Sequence, residues 1–266
     1  MASKLELAIA EINKRFGKGS IMELNNHAAA EAMDVIPTGN KKIDDLTGIG
    51  GFPRGRIVEI FGPEAGGKTT LALQVIAQAQ KLGGGVVYID AEHALDVSYA
   101  QALGVDTSKM LISQPESGED GLEIALTMIQ SKEIMVVVVD SVAALVPRHE
   151  LEGDMGDAQI GLQARMMGHA MRKMTKAVSD SNCCLIFINQ VREKLGVMFG
   201  NPETTSGGRA LKFYASLRLD LRRIAQKKKG DVVIGAETKI KSIKNKMASP
   251  YRDVTILLTY GKGFIE

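Results

Sequence analysis

The chain has 266 residues, of which 45% are apolar and 24% charged. That suits one large domain, or one and a half, with a core that needs no staples, and it argues against disorder. The formal charge of +2 hides an asymmetry, because residues 209–246 hold twelve Lys/Arg against three acids, a surplus of nine that leaves the remainder near −7. Such a segment reads equally as the wet face of a sheet and as a patch for a polyanion or nucleotide.

Ser3 followed by Glu6 reads as a capping box, and Leu5, Ala8, Ile9, Ile12 and Phe16 recur at helical spacing up to Gly17. These features predict a short amphipathic helix over Lys4–Phe16. Residues 1–16 carry Lys4, Glu6, Glu11 and Lys14, unlike a signal peptide, and no apolar run approaches the roughly 18 residues of a membrane span. A cytoplasmic protein with no membrane partner is the expectation. The helix is followed by a loose stretch, 17–34, so its apolar stripe needs a surface from its own domain or from a neighbouring subunit.

From Arg56 onward strand, loop and helix alternate. Strands are predicted at 57–61, 86–90, 110–112, 134–140 and 183–189, and helices at 69–82, 95–103, 121–130 and 159–178. The alternation predicts an α/β fold with a mainly parallel central sheet covered by helices. Beyond Gly208 the pattern turns to strands at 212–223, 232–246 and 253–260, read as antiparallel additions to the sheet edge. Cys183 and Cys184, the only cysteines, lie together in an apolar run, which excludes a disulfide scaffold and a zinc site.

Gly62-Pro63-Glu64-Ala65-Gly66-Gly67-Lys68-Thr69 matches the phosphate-loop pattern G-x-x-x-x-G-K-[ST] between a predicted strand and helix. The glycines let backbone N–H groups turn inward, and the helix N-terminus adds partial positive charge where phosphates sit. Lys68 would reach the β/γ-phosphates and Thr69 would ligate Mg2+. In a parallel sheet, ligands bind beyond the carboxyl ends of the strands. Those ends deliver this loop, then Asp90 with Glu92 and His93, then Asp140 and Ser141, then Asn189 and Gln190. Asp140 takes the Walker B role on the metal, which leaves Glu92 to activate water and Gln190 to sense the γ-phosphate. Asp90 reads first as a structural cap. Tyr99 reads either as a base-stacking group or as a surface aromatic. His27, His149 and His169 are isolated, whereas His93 stays open because it adjoins Glu92.

Two segments suit neither strand nor helix. Residues 151–160 are acidic, but their spacing departs from a calcium loop. Residues 191–208 form a long loop with Arg192, Lys194, Phe199, Asn201, Thr204, Thr205 and Gly207-Gly208, leading to Arg209. Cations, small hydroxyls and free N–H groups suit a phosphate backbone better than base edges, and one aromatic makes no stacking platform.

The stretches 35–39, 62–70, 89–96, 140–147, 196–205 and 210–216 together resemble the bacterial RecA recombinases, over roughly Leu5 to the C-terminus. The resemblance implies a RecA-type ATPase core at 34–266 with two DNA-binding loops, at about 151–161 and 191–208. An N-terminal docking helix and linker would occupy 1–33. It implies ATP and Mg2+ as cofactors and a helical filament on single-stranded DNA. Homologous pairing with duplex DNA, strand exchange in recombinational repair and the SOS response would follow, with an SOS-type repressor as a further partner. Carried onto this chain, the loop residues through Thr69 and Thr70 hold the triphosphate, and Asp140 supports the metal. Lys68, Glu92 and Gln190 form the catalytic set. Asp96, Tyr99 and Tyr260 border the base and ribose, and Lys244 and Lys246 reach a neighbour's γ-phosphate. The DNA contacts are Arg165, Arg192, Lys194, Gly196, Val197, Met198, Phe199, Asn201, Thr204, Gly207, Gly208 and Arg209. Lys212 and Phe213 fall near the subunit interface.

Three departures stand out. Ala65-Gly66 replaces two serines, and Arg209 replaces an asparagine. The chain ends at Glu266, where the family continues into a small C-terminal domain, so that domain is expected to be absent. Without the resemblance, the residues also suit a ring motor, an ATP-gated switch that ignores DNA, or a scaffold that binds ATP and DNA without useful turnover. A dimer, a ring and a filament are all compatible with them.

Overall fold

The computed structural model describes residues 3–21, 33–154, 161–193 and 202–265. It divides into two units, Met1–Asp34 and Val35–Glu266. In the first unit, helix α1 (Lys4–Phe16) is closed by the capping box, with Ser3 Oγ accepting from Glu6 N at 3.1 Å and Glu6 Oε2 accepting from Ser3 N at 2.6 Å. Gly17 ends it, and Asn13 Oδ1 accepts from Gly19 N and Ser20 N just beyond. None of its residues is buried.

The second unit runs β1 (Val35–Ile36), α2 (Lys41–Thr47), β2 (Phe52–Pro53), β3 (Ile57–Gly62), α3 (Lys68–Lys81), β4 (Gly85–Asp90), α4 (Val97–Ala102), β5 (Met110–Ser113), α5 (Gly118–Gln130) and β6 (Ile134–Asp140). It continues through α6 (Arg148–Glu152), α7 (Leu162–Ser181), β7 (Cys184–Glu193), β8 (Glu203–Thr205), α8 (Ala210–Tyr214), β9 (Leu217–Lys229), β10 (Val232–Asn245), β11 (Asp253–Thr259) and β12 (Gly263–Phe264). Among the described residues the main sheet has the order β12-β11-β10-β9-β3-β7-β6-β4-β5, with β8 on β7. The strands from β3 to β5 pair in parallel.

The parallel strands are apolar along their length because both faces are covered. On one face Leu71, Val75 and Ile76 of α3 pack on Val58, Ile60, Tyr88 and Val136. On the other, Leu122 and Leu126 of α5 and Met167, Met171 and Met174 of α7 pack on Val87, Val137 and Phe187. Alternate strand residues serve the two faces, so one run of valines fills two cores. Cys183 and Cys184 are buried free thiols, and burial pushes the Cys183 thiol up to about 12.

Two details differ from the sequence reading beyond residue 208. A helical turn, α8, occupies 210–214, where a strand from Lys212 was expected; it seats Leu211 in the core at 1% exposure. The antiparallel strands are present as β10, β11 and β12, but β9 joins β3 in parallel. The reason is connectivity, since α8 carries the chain back to the starting edge, and a crossover of that kind produces parallel pairing. The expected loop at 191–208 also begins and ends as a hairpin, with Val191↔Thr205 and Glu193↔Glu203 in register. Within it, 194–201 lie outside the described residues, as do 155–160 of the acidic segment.

Candidate functional site

The carboxyl ends of β3, β4, β6 and β7 form one edge, and the site is built there. After β3 the chain turns through the Gly-rich loop into α3, whose N-cap, Gly67, has φ +88°. A Cβ at Gly67 would lie 2.7 Å from Phe264 Cζ, so both conformation and space require glycine. Gly66, one of the departures, packs against β9: a Cβ there would lie 2.7 Å from the Leu221 carbonyl. Lys68 Nζ donates to the carbonyls of Gly62 at 3.0 Å and Pro63 at 2.7 Å. Burial lowers its pKa, and the charges of Asp140, Glu92 and Glu64 oppose that shift.

Asp140 is 7% exposed and receives two hydrogen bonds on one oxygen. Thr69 Oγ1 donates to Asp140 Oδ2 at 2.8 Å, and the Tyr88 hydroxyl donates to the same atom at 2.6 Å. Burial raises the Asp140 pKa, and the Tyr88 and Thr69 hydrogen bonds counter it. Tyr88, buried beside that carboxylate, is held far above its ordinary pKa and so remains a donor. Sequence reading passed over Tyr88; the signal available was a hydroxyl inside an otherwise apolar strand.

Glu92, on the turn after β4, accepts on Oε1 from Ser141 Oγ and from Gln190 Nε2, the latter at 3.1 Å. Three strand ends therefore meet at one carboxylate oxygen. Asp90 instead accepts from Ala94 N, Leu95 N and Gln114 Nε2, which is the structural cap expected of it. Tyr99 and Thr70 share a hydroxyl–hydroxyl bond of 2.8 Å, while Asp96 N-caps α4 through Tyr99 N at 3.0 Å. Tyr260, half exposed just beyond β11, bonds through its backbone to Ile234. Lys244 Nζ donates to the carbonyls of Lys212 at 2.6 Å and Phe213 at 2.8 Å, and Lys246 Nζ to that of Phe213 at 3.2 Å. In a single chain these two lysines thus cap the end of α8.

A glycine cradle with an ammonium, a hydroxyl and a carboxylate at one strand edge has the donor chemistry of a magnesium–triphosphate site. Lys68 and the loop would hold phosphates, and Thr69 with Asp140 would hold the metal.

Beside this edge lies a cleft of about 770 Å³ lined by Arg192, Thr204, Gly207, Gly208 and Arg209 together with Lys212 and Phe213. Gln163, which sequence reading did not single out, ties it together. Its Nε2 donates to Val142 O at 2.9 Å and Leu145 O at 3.1 Å, and its Oε1 accepts from Gly207 N at 3.1 Å. Arg165 is not a lining residue of this cleft; it faces a groove between α5 and α7, with Glu119 and His169. Lys194, Gly196, Val197, Met198, Phe199 and Asn201 lie outside the described residues.

Known proteins resemble this chain over most of its length. Residues 3–265 match the family model described as the RecA N-terminal domain. Protein RecA of Citrifermentans bemidjiense is 59% identical over 259 residues, covering 97% of this chain and 77% of that protein. Protein RecA of Syntrophus aciditrophicus is 58% identical over 262 residues, covering 98% of this chain and 76% of the relative. The crystal structure of the RadB recombinase, at 21% identity, has a TM-score of 0.64 and covers 87% of this chain and 100% of that one, a likeness of fold. No described helix is long and apolar enough to cross a membrane. With a phosphate-loop pattern at a parallel strand edge and a family match over nearly its whole length, the chain belongs to the RecA family of DNA-dependent ATPases that serve recombination and DNA repair.

Proposed function

We propose that this chain polymerises as a helical filament on single-stranded DNA, with ATP and Mg2+ bound between subunits, and pairs that strand with homologous duplex DNA for strand exchange. The setting is cytoplasmic recombinational repair and the SOS response, in which the filament also stimulates an SOS-type repressor. The observation that carries this reading is the meeting of Gln190 and Glu92 at 3.1 Å, because Gln190 leads directly into the β7–β8 hairpin beside the Arg192–Arg209 cleft. One side chain thereby touches the hydrolytic carboxylate and adjoins the segment assigned to DNA.

In this mechanism Lys68 and the loop amides grip the triphosphate, while Glu92 orients water and accepts its proton. Thr69 and Asp140 would hold Mg2+, which would supply charge neutralisation for the triphosphate. Asp96, Tyr99 and Tyr260 border the nucleoside, and Lys244 and Lys246 serve the neighbour's γ-phosphate. The DNA contacts are Arg192, Lys194, Gly196, Val197, Met198, Phe199, Asn201, Thr204, Gly207, Gly208 and Arg209, with Arg165 outside the cleft. The helix at 4–16 docks on the core of a neighbouring subunit, with Lys212 and Phe213 near that interface. Electron micrographs with single-stranded DNA and a slowly hydrolysed ATP analogue test this reading. Helical filaments are expected, and uniform rings or dimers would contradict it.

A further inference from the structure

Behind Gln190 lies a buried polar cluster that the reaction scheme above leaves unused. Asn189 and Glu59 are both 0% exposed, and Arg218 is 9% exposed. Asn189 Nδ2 donates to Glu59 Oε1 at 3.0 Å and to the Ser206 carbonyl at 3.0 Å, while its Oδ1 accepts from Gln190 N at 2.9 Å. The second Glu59 oxygen accepts from Arg218 Nε, and the Arg218 guanidinium lies 4.7 Å over the Phe61 ring. Ser206 is gripped again through its hydroxyl, which accepts from Arg192 Nε at 2.9 Å.

Each partner belongs to a different part of the fold. Glu59 is on β3, three residues before the Gly-rich loop begins, and Arg218 is its register partner on β9. Asn189 is on β7 immediately before Gln190, and Ser206 follows β8 at the exit of the hairpin. Both amide protons and the carbonyl of Asn189 are engaged. A charged pair inside a sheet core is a poor source of stability, because apolar residues of equal volume would serve as well. A fully satisfied buried network instead fixes one geometry.

We propose that Asn189 is a positioning residue: braced by Glu59 and Arg218, its carboxamide holds the Gln190 backbone and the Ser206 end of the hairpin as one body. A displacement of Gln190 at the nucleotide is then transmitted to the hairpin instead of being absorbed in the intervening backbone. This rests on the reading that the hairpin segment binds DNA.

The test measures the affinity of the whole chain for a fluorescein-labelled single strand, with and without a slowly hydrolysed ATP analogue. Affinity for a fluorescent ATP analogue alone is measured in parallel. In the unsubstituted chain the nucleotide tightens DNA binding by about 5–150-fold, the usual range of coupling between two sites. Asn189→Ala retains its nucleotide affinity but brings that tightening down to about onefold, as expected once a shared two-state element is uncoupled. Tightening preserved in the variant overturns the proposal, and so does a parallel loss of nucleotide and DNA affinity, which marks a merely structural role. If Asn189→Ala does not fold, Asn189→Ser, whose hydroxyl is too short to span both acceptors, is read by the same criteria. Absence of tightening in the unsubstituted chain fails differently, since it removes the DNA-coupled reading and the proposal together.

Discussion

Asp140 Oδ2 accepts from Thr69 and Tyr88, while Glu92 Oε1 accepts from Ser141 and Gln190, so the two carboxylates are set apart by their donors. Glu92→Ala should bind ATP normally and slow turnover by about 10²–10⁴-fold, read from steady-state hydrolysis. Unimpaired turnover would assign the base elsewhere. Tyr88→Phe keeps the ring packed but removes a hydrogen bond to a carboxylate, which should cost about 1.5–3 kcal/mol in urea unfolding. Lys244 gives a pH prediction. Burial, then the charges of Lys246 and Arg218, lower its pKa from 10.5 to about 8. The group is charged below that value and neutral above it. If it serves a neighbour's phosphate, that anion draws the proton back onto it, so nucleotide-dependent filament assembly weakens as pH rises above about 8, and Lys244→Arg, charged throughout, removes that dependence; a pH dependence unchanged in the variant would refute the role. Lys68, Thr69, Asp140, Glu92 and Gln190 were legible because a motif and strand ends announce them. Tyr88 and Gln163 were not, because their partners stand 52 and 44 residues away and meet only through the fold, and although Asn189 was read as a strand end, its bond to Glu59, 130 residues away, was not.

At the scale of elements, helix α1 poses the clearest question. It carries its own caps, yet Leu5, Leu7 and Phe16 are 70%, 60% and 67% exposed. A 13-residue helix is marginal by itself, so its apolar side chains call for a partner surface. Deleting residues 1–16 should leave the unit Val35–Glu266 folded, with a similar melting temperature and a helical circular-dichroism signal lowered only by the share of α1, but unable to form filaments in electron micrographs. Filaments that persist would refute the docking role. The long strands and helices could be read because their apolar patterns span several turns or residues. Helix α8 could not, since five residues show too little periodicity and the alternating Leu217, Leu219 and Leu221 that follow dominate the window. Its presence also explains why β9 enters in parallel, which no local pattern announces.

For the whole molecule, the basic surplus divides by location. Arg218 is buried against Glu59, Arg222 pairs with Asp220 and Glu203, and Lys244 caps α8, while Lys227, Lys228 and Lys229 stand exposed on the far part of the β9–β10 ribbon. Composition showed the excess but not this partition, which depends on where each strand sits in the sheet. The α/β class and the strand edge that collects the site were readable from alternation alone, because parallel topology sends every strand end the same way. Nucleotide turnover in this scheme is completed by DNA and by neighbouring subunits. The measurement that tests it most directly is ATP hydrolysis at low salt and neutral pH, with and without single-stranded DNA, titrated in protein concentration. Strong stimulation by DNA with a cooperative dependence on protein is expected. Turnover that is indifferent to DNA and linear in protein would contradict it.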